Sequence, residues 1–134
     1  MNTHPYLRAY MAGIVVPTVF LLVAMTGFTL ARFVYDVAIP IERVIVFPMA
    51  VVPNVWGVWN MLRVALGGDR WPIGLHGALL PLVLMPLGLL LARTLAVDIV
   101  TPALLAAFAP FAIAVYYLAW KYLVGYLNAV LSVA

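Results

Sequence analysis

The sequence predicts an all-α integral membrane protein, with four transmembrane helices in a compact bundle and a single domain over 1–134. Three observations predict it. The 134 residues are 68% hydrophobic and only 8% charged, whereas soluble domains are about half apolar and a quarter charged. Four apolar stretches, 9–31, 44–66, 73–92 and 101–120, each come near the ~20 residues that a helix needs to cross the hydrocarbon layer. The alternating ~10-residue strands of a membrane barrel are missing from the sequence, which leaves helices as the way to satisfy the backbone in lipid. With their polar flanks, the helices are expected at about 9–35, 44–66, 73–95 and 101–133.

The first segment follows Arg8 and ends in Thr29-Leu30-Ala31. It is longer than the ~7–15 apolar residues of a secretory signal, so a retained helix is expected. Gly13, Pro17, Ala24, Gly27 and Ala31 fall on one stripe at ~100° per residue. Helices in lipid gain little by hiding apolar surface from each other, and small residues that allow close approach mark their contact faces. Gly27, like Gly88 further on, is therefore expected at a close helix contact.

The second segment carries VVPNVWGVWN at 51–60. Pro48 and Pro53 should bend or partly unwind it, because proline lacks the N–H of the helical ladder. Asn54 falls near mid-span, where an unpaired amide would cost several kcal/mol. Its partner is expected to be a neighbouring helix, a carbonyl freed by Pro53 or a ligand. Trp56, Trp59, Asn60 and Arg63 share a face at spacings of three, four and seven.

Trp56-Gly57-Val58-Trp59 resembles, with a one-residue gap and over about ten residues, the tryptophan-rich run of the sensory or translocator proteins of that name. Those proteins have five helices against the four expected here. The resemblance implies only a pocket for something flat and apolar.

In the third segment Gly74, Ala78, Pro81, Gly88 and Ala92 line one stripe, and His76 falls on the opposite face as an interfacial polar residue. In the fourth, Ala103, Ala107, Pro110, Ala114, Lys121, Gly125, Asn128 and Ser132 share a face. Lys121 lies ~28 Å past Pro102 at 1.5 Å per residue, which is near the interface. It is expected either to snorkel to headgroups or to point inward at an anionic group.

The two halves also resemble each other. Gly13 and Pro17 match Gly77 and Pro81, and Leu30-Ala31-Arg32 matches Leu91-Ala92-Arg93. The second match lies after a three-residue gap, and at its offset Phe47 pairs with Phe108 and Trp59 with Trp120. Such matches predict parallel two-helix repeats.

Four helices put both termini on one side. That side carries Arg8, Arg63, Arg70 and Lys121, against Arg32, Arg43 and Arg93 on the other. The count favours cytoplasmic termini. Tyr6, Tyr10, Trp71, Tyr116, Tyr117, Trp120, Tyr122 and Tyr126 crowd the same side as an interfacial belt.

Several chemistries are disfavoured. There is no cysteine, hence no thiolate nucleophile or Cys-ligated metal. Asp36, Glu42, Asp69 and Asp98 lie in connections or at helix ends, so no mid-span carboxylate serves proton coupling. His4 and His76 show no facing geometry for haem. No cofactor, no enzyme activity and no nucleic-acid partner are expected, since the net charge of +3 is not gathered into a dense patch.

Two functions remain. The leading one is an accessory or scaffold subunit that packs against itself or a larger membrane protein, within membrane lipid. The alternative is binding or passage of a lipid, quinone or pigment in a pocket lined by the bent second helix and the polar end of the fourth. The residues that would serve it are Asn54, Trp56, Trp59, Asn60, Trp120, Lys121 and Asn128.

Overall fold

A computed structural model describes residues 3–38, 47–98 and 100–133. Every regular element among them is helical. Helix α1 runs Pro5–Phe33. Helix α2 begins as a π-helical turn, Phe47–Val51, and continues as Val52–Ala65. Helix α3 spans Ile73–Thr94 and α4 spans Pro102–Val130. Among the described residues α1, α3 and α4 are long and apolar enough to cross a membrane. The described part of α2 is diluted by Pro48, Pro53, Asn54, Asn60 and Arg63. Residues 44–46 of its expected span, with Glu42 and Arg43, lie outside the described residues.

Local chemistry sets the ends. Pro5 opens α1 four residues earlier than expected, because a proline at the first helical position gives up an N–H that has no partner there anyway. Thr101 caps α4, its hydroxyl accepting from the Leu104 N–H at 3.2 Å, with Pro102 next. The hydroxyls of Thr26, Thr29 and Thr94 each donate to the carbonyl four residues back. The expected bend near Pro48 and Pro53 takes the form of the wide turn Phe47–Val51. Helix α3 breaks at Leu79, where Pro81 lacks the N–H that would reach the Gly77 carbonyl.

The closest pairings are α1 with α2 and α3 with α4. The core is Trp56, Leu80, Leu84, Trp120 and Val124, and it lies toward the end that holds the starts of α1 and α3 and the finishes of α2 and α4. At that end α1 buries Ala9, Ala12, Gly13, Pro17 and Leu21. Beyond Leu21, α1 buries nothing, and neither does Pro102–Leu118 of α4. The helices are closed at one end and splayed at the other.

The small-residue stripes fare unequally. That of α3 faces inward, with Gly74, Pro81 and Ala92 buried. That of α1 is buried only at Gly13 and Pro17, and among the described residues no atom of another helix comes within 4 Å of where a Gly27 Cβ would sit. The α4 stripe is a correction, because Ala103, Ala107, Pro110, Ala114 and Lys121 are all exposed. Its inward face runs through Leu105, Ala112, Tyr116, Trp120, Val124 and Asn128, spaced about four residues per turn from Ala112 on. The cause is the π-helical turn Ala119–Val124, whose wider pitch shifts the register that ~100° per residue assumes.

Candidate functional site

The sequence-predicted residues converge at the closed end. Asn60 is fully buried. Its amide nitrogen donates to the Ala9 carbonyl at 2.7 Å and to Asn128 Oδ1 at 2.7 Å. The Asn128 nitrogen donates back to Asn60 Oδ1 at 3.2 Å. One amide pair thereby ties α1, α2 and α4 together. Interhelical hydrogen bonds of this kind contribute about 0.6 kcal/mol and up to ~1.7 kcal/mol, and an unpaired amide there would cost more.

A second reciprocal pair ties α2 to α3. The Trp59 indole N–H donates to the His76 carbonyl at 2.8 Å, and His76 Nε2 lies 3.0 Å from the Trp59 carbonyl, which fixes its proton on Nε2. The two rings stack with centroids 5.1 Å apart. His76 is buried, not interfacial as its helix face suggested. The missed signal is its flanking glycines, since Gly74 and Gly77 admit bulky neighbours from α4. A Cβ at Gly77 would lie 2.0 Å from Trp120 Cγ, and one at Gly74 would lie 2.7 Å from Tyr117 Cε2.

Trp56 and Trp120 meet at 5.4 Å between centroids, with Tyr116 4.9 Å from Trp56 and His76 5.7 Å from Trp120. The glycine contacts of the two halves correspond. A Cβ at Gly13 would lie 2.6 Å from the Trp56 carbonyl oxygen, as one at Gly77 would strike Trp120. Both glycines precede the residue that blocks them by the same interval in sequence. By this contact Trp120 corresponds to Trp56, in place of the Trp59 that the sequence match suggested.

Asn54 and Lys121 stand apart from this cluster. Asn54 is exposed, accepts from the Tyr10 hydroxyl and donates to the Ala50 carbonyl at 2.6 Å. The neighbouring helix is therefore present as a partner, whereas the carbonyl is that of Ala50 and not the Met49 one that Pro53 leaves free. Lys121 is exposed, with its ammonium 5.2 Å and 5.7 Å from the ring centroids of Tyr122 and Tyr117, the arrangement of a side chain that lies along an aromatic surface.

A vacant space lies at the other end. A cavity of about 350 Å³ is bounded by Phe47 and Pro48 of α2, by Pro81, Leu84, Met85, Gly88 and Ala92 of α3, and by Leu105, Ala112 and Tyr116 of α4. Leu95, Val97 and Val100 of the last connection complete it. None of the seven sequence-predicted residues lines it. The second helix contributes Phe47 and Pro48 in place of the expected Asn54–Asn60 stretch, and the fourth helix contributes its first half and not its polar end. Tyr116 carries the one hydroxyl in an otherwise apolar lining. The signal in the sequence was the Pro81-Gly88-Ala92 stripe, whose small side chains leave room where no neighbour fills it.

No family model, curated protein or solved structure matches the chain. The translocator-like resemblance thus stays confined to Trp56-Gly57-Val58-Trp59.

Proposed function

We propose that this chain is an integral membrane protein of four membrane-crossing helices, both termini on the cytoplasmic side, that binds a lipophilic molecule between α2, α3 and α4. It is a binding protein and not an enzyme. The observation that carries the reading is the cavity of about 350 Å³ with apolar walls. Its size falls within the ~300–1,000 Å³ of small-molecule sites. A lipid, quinone or pigment would fill it, with Tyr116 available to orient a polar head.

The test is mass spectrometry of what co-purifies with the protein. The wild type should retain a defined lipophilic species in near-stoichiometric amount, and Ala112→Leu, which narrows the cavity, should lose it while staying folded. Wild type and variant retaining the same mixture of bulk lipids would sink the reading.

The bare outer half of α1 favours a second reading, a scaffold subunit. Phe20, Val23 and Phe33 are at least 70% exposed, and Gly27 has open space above it, which suits a partner helix. A stoichiometric larger protein in the same purification would favour it.

A further inference from the structure

The turn between α2 and α3 gathers Arg63 and Arg70. It is built by the backbone. Gly68 N–H donates to the Arg63 carbonyl at 3.0 Å, and Gly67 N–H donates to the Val64 carbonyl at 3.1 Å, which closes the end of α2 in the manner of a Schellman cap. Gly67 stands at φ 84, a conformation that a side chain would strain. Beyond it the chain doubles back, and Arg70 lies over the turn, its Nε 3.7 Å from where a Gly67 Cβ would sit.

Arg63, Arg70, Gly68, Trp71 and His76 bound a recess of about 20 Å³ in this turn. The Nε of Arg63, one of its walls, is buried with no hydrogen-bond partner among the described residues. A buried guanidinium N–H facing no acceptor is expensive, and an anion supplies what it lacks.

We propose that this recess binds a phosphate group, held between the guanidinium groups of Arg63 and Arg70. Guanidinium forks match phosphate oxygens in pairs. The recess has room for about one water-sized group. The phosphate therefore docks from outside and inserts one oxygen toward Arg63. His76 is spoken for by the Trp59 carbonyl and contributes a wall. Asp69, in the same turn, opposes the anion and leaves the turn at net +1. Exposed Leu66 and Trp71 flank the recess and give an acyl chain apolar surface to follow. Basic pockets between membrane helices on the cytoplasmic side hold anionic headgroups in this way.

The site shares no residue with the apolar cavity, and its fate is independent of that reading. The test is titration of the detergent-solubilised full chain with phosphatidylglycerol and with phosphatidylcholine, followed by native mass spectrometry and intrinsic tryptophan fluorescence. Both lipids carry a phosphodiester, but the choline cation offsets its charge, so phosphatidylglycerol should bind at least tenfold more tightly than phosphatidylcholine. Arg70→Gln, at an exposed position, should erase that preference without lowering thermal stability, Arg63→Gln should do the same where it folds, and Asp69→Asn should tighten binding severalfold. Displacement by millimolar inorganic phosphate identifies free phosphate as the ligand, and resistance to it identifies the lipid; both support a phosphate site. Equal binding of the two lipids, or an unchanged preference in Arg70→Gln, overturns it.

Discussion

The two ends of this helix assembly are made from the same residue types and come out opposite. At the closed end Gly13, Gly74 and Gly77 admit Trp56, Tyr117 and Trp120 to distances that a single methyl would forbid. At the splayed end Gly88 meets only the edge of Phe47, at 3.2 Å from its would-be Cβ, and Ala92 and Ala112 border open space. A small residue is thus an invitation that the neighbouring helix either accepts, giving a lock, or declines, giving a cavity. What decides is the opposite wall: Trp56, Tyr117 and Trp120 press against the first set, whereas beside the second the side chains of Phe47, Met85 and Leu105 stand around a gap.

The largest effect should come from breaking the closed end. Gly77→Leu puts a branched side chain where Trp120 already sits, and overpacking of that kind costs about 3 kcal/mol or more. Its melting temperature in detergent should fall by many degrees, with much of the protein lost to aggregation. Gly27→Leu, in open space, should change nothing measurable in the same assay.

Next in size is the amide lock. Asn60→Leu strands the Asn128 amide, at about 1–3 kcal/mol, whereas the Ala9 carbonyl keeps its place in the α1 ladder. Because Asn60 and Asn128 serve each other, Asn60→Leu combined with Asn128→Leu should cost less than the two single losses added together. A double-mutant cycle in reversible detergent unfolding reads that coupling, and strict additivity would show that the pair is no lock. Smallest of all, Lys121→Gln should stay within about 0.5 kcal/mol of the wild type, since the ammonium rests on exposed tyrosine faces.

The helices were legible because an apolar run of twenty or more residues, broken by few charges, fits a membrane helix and little else. Thr101-Pro102 marked a helix start by itself. The participants in the lock were legible as well, since Asn60 and Asn128 are amides that hydrocarbon would not tolerate alone. Their pairing was not, because it depends on the π-helical turn Ala119–Val124, which no residue type announces. The same turn misdirected the α4 stripe. His76 was misplaced because its own side chain says polar, and only the space opened by its glycine neighbours says buried. The cavity was hardest to foresee, because a stripe of small residues reads identically whether a helix or a void faces it.

The most direct test of a cavity at the splayed end is where a lipophilic probe settles. A photoreactive apolar diazirine, added to the protein in lipid nanodiscs and activated by light, should label Met85 and Tyr116 saturably. That labelling should be competed by excess unlabelled probe and abolished in Ala112→Leu, with no labelling at Asn60, His76 or Trp120. Saturable labelling at the closed end, or labelling of Met85 and Tyr116 that never saturates and survives in Ala112→Leu, would contradict it.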